Sequence, residues 1–164
     1  MKRRNYPKLL IFTLLIFLLN FPLLAAQNTE ITKYRALVKA TLNEYYLDDS
    51  EKSFNAYSEY NNLNLDLEFR IDLTMSEINE INDPQILVEK SKEMAYTIIS
   101  EIAKSVLLNQ IKEDCNYQNI ILNFQHKTKD YKYIKNTFSI NVVSLSSISD
   151  NMNKTGFYRI LKEQ

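Results

Sequence analysis

The chain has 164 residues, 45% hydrophobic and 24% charged, which suits one globular domain with an adequate core and excludes a disordered polymer. Its single glycine excludes the Gly-rich phosphate-binding loops, and one histidine with one cysteine excludes the usual zinc sets, so no cofactor or metal is expected. Basic and acidic side chains balance at 20 each, but the four charges of residues 1–26 are all basic; the remaining 16 basic against 20 acidic residues leave a net −4, which gives no general attraction to nucleic acid.

Residues 1–26 have the make-up of an export signal. Lys2, Arg3, Arg4 and Lys8 precede or open an apolar run from Leu9 to Leu19, followed by a break at Asn20 and Pro22 and the small ending Leu24-Ala25-Ala26. The expectation is a signal peptide cleaved after Ala26, delivering residues 27–164 to the periplasm or the medium as a single α+β domain. The alternative is an uncleaved anchor in the inner membrane, because residues 9–26 are mostly apolar and about 18 such residues just span a bilayer. No membrane span is expected beyond this segment.

From Thr29 onward Ile31, Tyr34, Val38, Leu42 and Tyr45 recur every three or four residues, which predicts a helix capped by Asn28 or Thr29 and ended by Asp48-Asp49-Ser50. A second short helix is expected around Phe54 and Tyr57. In residues 63–75, Leu63, Leu65, Leu67, Phe69, Ile71, Leu73 and Met75 alternate with Asn64, Asp66, Glu68, Arg70, Asp72 and Thr74. That pattern predicts a strand of about 43 Å with one dry and one wet face. Residues 76–82 are expected to turn the chain, and Asp83-Pro84 to start a helix reaching Lys112, also about 43 Å long. On this helix Val88, Ala95, Ile99, Ile102 and Val106 share one line, which should lie on the dry face of the strand.

Two further alternating runs follow: Ile120, Leu122, Phe124 and His126, then Ile134, Phe138, Ile140 and Val142. The short polar connection through Lys127, Thr128, Lys129 and Asp130 makes them an antiparallel hairpin, and a return along the long helix makes the first of the pair parallel to the earlier strand. Residues 146–164 admit both helix and strand. The element order α-β-α-β-β plus this C-terminal segment predicts an α+β two-layer sandwich, with helices on one face of a small mixed or antiparallel sheet.

Four groups of residues are candidates for function. Cys115 and His126 are of the types that form a thiolate–imidazole pair, and Asp66, Glu68 and Asp72 would stand about 6.6 Å apart per step along the wet face, near the spacing of paired carboxylates in glycosidases. Either would make the protein an exported hydrolase. The wet face itself, with Glu68, Arg70 and Asn123, is a candidate binding surface, and so is the hairpin tip, where Lys127, Lys129, Lys132 and Lys135 interleave with Tyr131 and Tyr133. Basic and aromatic residues together suit a protein partner or an anionic surface. The competing explanation is that the lysines keep an edge strand from pairing with its neighbours. The leading expectation is a small exported, non-catalytic binding protein of the bacterial envelope or medium; the alternatives are the hydrolase and a membrane-anchored accessory subunit.

Overall fold

Helices cover one face of a five-stranded mixed sheet in residues 29–43, 52–80 and 84–164, which are those the computed structural model describes. Residues 1–26 and their cleavage, the caps proposed for the first helix at Asn28 and residues 48–50, Tyr45 and Asp83 lie outside them. In chain order the elements are α1 (residues 29–43), β1 (Lys52–Glu59), β2 (Asn62–Arg70), α2 (Met75–Glu80), α3 (Pro84–Lys104) and α4 (Leu107–Asn109), which runs on as a π-helical turn (Gln110–Asp114). They continue as β3 (Asn119–Lys127), β4 (Tyr133–Asn141), α5 (Val142–Ile148), a 3₁₀ turn (Ser149–Asn151), α6 (Lys154–Ile160) and β5 (Lys162–Glu163). The sheet order is β1-β2-β3-β4-β5, with β2 and β3 parallel and the other pairs antiparallel. This is an α+β fold.

The inner face of the sheet carries Phe54 and Ala56 of β1, Leu63, Leu65 and Leu67 of β2, Ile120, Leu122 and Phe124 of β3, and Phe138 and Ile140 of β4. They join Ala95, Ile98, Ile99 and Ile102 of α3 and Val38 and Leu42 of α1 in one contiguous core. Strand β3 is the middle of the sheet because the helical crossover returns it beside β2 and the hairpin then lays β4 on its other edge.

Four expectations are corrected. The segment around Phe54 and Tyr57 is strand β1, not a helix; it reverses into β2 through Tyr60 and Asn61, both with positive φ (45° and 60°), the backbone of a two-residue hairpin loop that follows the sheet twist. With only Phe54 and Ala56 as apolar inward residues, and Ser58 next on that face, its alternation is too sparse to announce a strand. Strand β2 stops at Arg70 although the alternation runs on to Met75, and residues 76–80 of the expected turn lie in helix α2, residues 81 and 82 being outside the described residues. Thr74 caps α2 instead: its N–H donates to Glu77 Oε2 at 2.7 Å and its Oγ1 accepts from the Glu77 N–H at 3.3 Å. The bond from the Thr74 N–H first, and then one from its hydroxyl, which donates to Glu77 Oε2 at 2.7 Å, hold the Glu77 carboxyl below its usual range. Because α2 seats the buried Ile78, Thr74→Ala should cost about 0.5–2 kcal/mol in urea denaturation. Thr74→Ser should recover most of the loss; a serine variant as weak as alanine would show that the cap is not what matters.

The long helix ends at Lys104, not Lys112. Ser105 Oγ donates to the Ile102 C=O at 2.9 Å and accepts the Leu107 N–H at 3.2 Å, and Val106, expected inside, is 73% exposed. A straight helix at 100° per residue would carry Asn109 and Glu113 inward and Ile111 outward. The break, together with the π turn closed by the Cys115 N–H on the Gln110 C=O at 2.8 Å, re-phases the chain so that Leu108, Ile111 and Cys115 are buried. Finally, Val142 is not a strand residue: it opens α5, capped by Asn141 Oδ1, which accepts from the N–H of Val143 and Ser144 at 3.1 Å each. In the C-terminal segment Leu145 and Phe157 are fully buried, and Phe157 packs edge-on against Tyr96 of α3 with ring centres 5.4 Å apart.

Candidate functional site

The thiolate–imidazole pair is not assembled. Cys115 precedes β3 and His126 lies near its far end, seven residues beyond Asn119, or about 23 Å along the strand. Burial pushes the Cys115 thiol up to about 11, with Arg35 opposing and Asp114 adding to the shift, so the nucleophilic thiolate is disfavoured. His126 is spent on structure: its ring lies 5.6 Å from that of Phe69, and its Nε2 is 2.9 Å from Ser91 Oγ. The carboxylate row keeps Asp66 and Glu68 on one face of β2 and loses Asp72. Asp66 Oδ1 accepts from Asn123 Nδ2 at 2.7 Å, and Asp72 lies past the end of β2 with its side chain 99% exposed. Among the described residues, no three His, Cys, Asp or Glu side chains converge on a point that would hold a metal ion.

The polar face forms as expected. Asn64, Asp66 and Glu68 stand opposite Ile121, Asn123 and Gln125, and Ile121 and Asn123 stand opposite Ser139 and Thr137. Asn123 is held from both sides, donating to Asp66 and accepting from Thr137 Oγ1 at 3.1 Å. Asn119 Nδ2 likewise donates to Asn62 Oδ1 at 3.0 Å. Asn62, Asn119 and Asn123 thus find partners across the strands, which leaves Asn123 little to offer a ligand, whereas among the described residues the buried Nδ2 of Asn64 has no hydrogen-bond partner.

The hairpin tip is different. Thr128 organises it: its N–H donates to the Lys132 C=O at 2.9 Å, its Oγ1 accepts the Lys132 N–H at 2.9 Å, and the hydroxyl donates to Asp130 Oδ1 at 2.7 Å. Asp130 also accepts the Met75 N–H at 3.0 Å and pairs with Lys132 Nζ at 3.2 Å. Its carboxyl is lowered to about 2, first by the Thr128 hydroxyl and then by the Met75 backbone and Lys132. The Lys129 N–H donates to the Leu73 C=O at 2.9 Å, so the tip is tied to the connection between β2 and α2 and does not project freely.

On this rigid base the candidate side chains are displayed. Tyr131 has φ 60° and is 77% exposed. A left-handed backbone costs a bulky residue roughly 1–2 kcal/mol, and the bonds from Thr128 and Asp130 hold it there. Lys127 Nζ lies 5.3 Å from the centre of the Tyr131 ring and 5.7 Å from that of Tyr133, within cation–π range of both. Pairing of β2 with β3 puts Arg70 opposite Lys127, and the two join Lys129 and Tyr131 around an open cleft of about 670 Å³. Lys129 Nζ is 3.9 Å from Asp72, a loose surface pair.

Of the residues singled out from the sequence, Lys127, Lys129, Tyr131, Lys132 and Tyr133 are therefore brought together, and Lys135 stands opposite Gln125 one step inward on the polar face. Glu68 is opposite Gln125 from the other side, next to Arg70 but outside the cleft; Asn123 belongs to the amide ladder. Thr128 and Asp130, which hold the tip, went unremarked; a Thr-x-Asp in a short hairpin connection is the local signal that finds them.

No family model, no curated protein and no solved structure matches the chain. Among the described residues no helix is long and apolar enough to cross a membrane.

Proposed function

We propose that the protein works by binding, with the β3–β4 hairpin tip as its contact surface and an anionic partner as its target. Under this reading residues 1–26 export the chain, and the partner is met in the envelope or the medium. The observation that carries it is Tyr131, a large aromatic side chain held exposed in a left-handed backbone that asparagine or glycine would adopt at lower cost. Edge protection accounts for lysines; it does not account for a strained, exposed tyrosine beside them. Four lysines and one arginine around two tyrosines, against Asp72 and Asp130, supply positive charge and rigid contact area together.

The test is retention on immobilised polyglutamate. The wild-type protein should be held at low salt and released as salt rises, because exposed charges are screened beyond about 8 Å at physiological ionic strength. Replacing Lys129, Lys132 and Lys135 together by Gln should weaken retention at least about tenfold, the effect of roughly 1.4 kcal/mol spread over three contacts. The thermal midpoint should stay nearly level, since exposed lysines add little stability. Retention that ignores both salt and the three substitutions would return the lysines to edge protection.

A further inference from the structure

The cleft at the hairpin tip holds a carboxylate and a ring as well as cations. Arg70 of β2, Lys127 of β3 and Tyr133 of β4 stand in register at the end of the polar face, about 4.8 Å apart from strand to strand, so two cations and a ring form one row. Among the described residues no carboxylate pairs with Arg70 or Lys127. Asp72 lines the same cleft with its side chain 99% exposed and a loose 3.9 Å pair with Lys129, which leaves most lone pairs of its two oxygens open to a donor. Beside them the exposed Tyr131 presents an apolar ring.

This mixture selects among anions. A chain that carries carboxylates or phosphates alone matches Arg70, Lys127 and Lys129 but sets like charge against Asp72. A polymer of uronic acids matches the whole set: its carboxylates meet the cations, its ring hydroxyls donate to Asp72, and the C–H face of a sugar ring lies on Tyr131. The cleft is open, which suits a chain that continues past it on both sides.

We propose that the tip cleft binds an acidic polysaccharide through its uronate units. Arg70, Lys127 and Lys129 take the carboxylates, Asp72 accepts from hydroxyls, and Tyr131 stacks on a sugar ring. The proposal rests on the reading of the tip as an anion-binding surface and adds the chemical class of the anion.

The experiment measures the affinity of the full chain for two immobilised polymers, polygalacturonate and polyglutamate, at equal carboxylate density. General charge attraction acts on both and cancels in the ratio of affinities. The wild-type protein should prefer polygalacturonate at least about fivefold. Tyr131→Asn, which suits the positive φ and keeps the fold, should cut that preference at least about threefold, and Tyr131→Phe should leave it within about twofold. Asp72→Asn should also cut it at least about threefold, because the acceptor loses its charge. Equal binding of the two polymers by the wild type, or a preference untouched by Tyr131→Asn or by Asp72→Asn, overturns the polysaccharide reading. Salt-sensitive retention on polyglutamate in that case leaves the tip as a charged contact surface; retention on neither polymer removes both readings.

Discussion

Ile102→Ala lowers the free energy of unfolding by about 2–5 kcal/mol, whereas Lys104→Ala, two residues on, changes it by under about 0.5 kcal/mol. Ile102 is 1% exposed and sits in the core with Ala95, Ile98 and Ile99 on the face of α3 turned to the sheet; Lys104 is exposed. Truncation removes buried methyl and methylene groups and leaves a cavity that a helix fixed on a sheet closes only in part, while the lysine has little to lose. Urea titrations of both variants with unchanged slopes give the comparison directly. Equal losses would mean that α3 meets the sheet through another face.

Ser91→Ala costs about 1–3 kcal/mol, because it strips partners from two neighbours inside the core. Ser91 is fully buried; its Oγ donates to the Leu87 C=O at 2.8 Å, lies 2.9 Å from His126 Nε2 and accepts from Asn136 Nδ2 at 3.3 Å. With the hydroxyl proton given to Leu87, a neutral His126 carrying its proton on Nε2 completes the pattern. Burial first and the charge of Lys90 second hold the His126 pKa below its ordinary value of 6.5. In this window the unfolded chain binds more protons than the folded one. Stability is therefore complete above about pH 6.5 and falls on acidification from there down through the folded-state pKa. Asp130 and Glu77 also have lowered pKa values, but as carboxylates they act below about pH 4, so the interval between pH 5 and 6.5 isolates the histidine. His126→Gln should flatten the profile across that interval; a variant as acid-sensitive as the wild type would place the sensitivity elsewhere.

Strands β2, β3 and β4 are legible in the sequence because each has a wet and a dry face, and alternation over nine residues is hard to mistake. The parallel return of β3 is legible as well, since a helix of that length brings the chain back along the sheet. The end of β2 is less so: Leu73 and Met75 keep the alternation going, and only the Thr74-Met75-Ser76-Glu77 box, a capping signal lying inside a strand-like pattern, marks the stop. Val106 continues the wheel of α3 with equal conviction, yet a straight helix would have driven Glu113 into the core, and burying an unpaired carboxylate outweighs one exposed valine.

The hairpin tip shows the same division. That residues 127–135 are basic and aromatic is a property of the sequence alone, and so is the polar character of the face that holds Glu68 and Asn123. Only the tertiary structure decides that Arg70 joins the tip, because strand register sets it opposite Lys127, 57 residues along the chain. It alone decides that Asp130 is locked by Thr128 and Met75 so that Tyr131 is held out at positive φ, and that β5 pairs with β4 at Phe138 and Ser139. The physical reason is common to all three. Periodicity records which way a side chain faces on its own element, whereas the partner across a sheet, the donor that pins a loop and the strand that joins an edge are settled by pairing between distant segments, to which local pattern is blind.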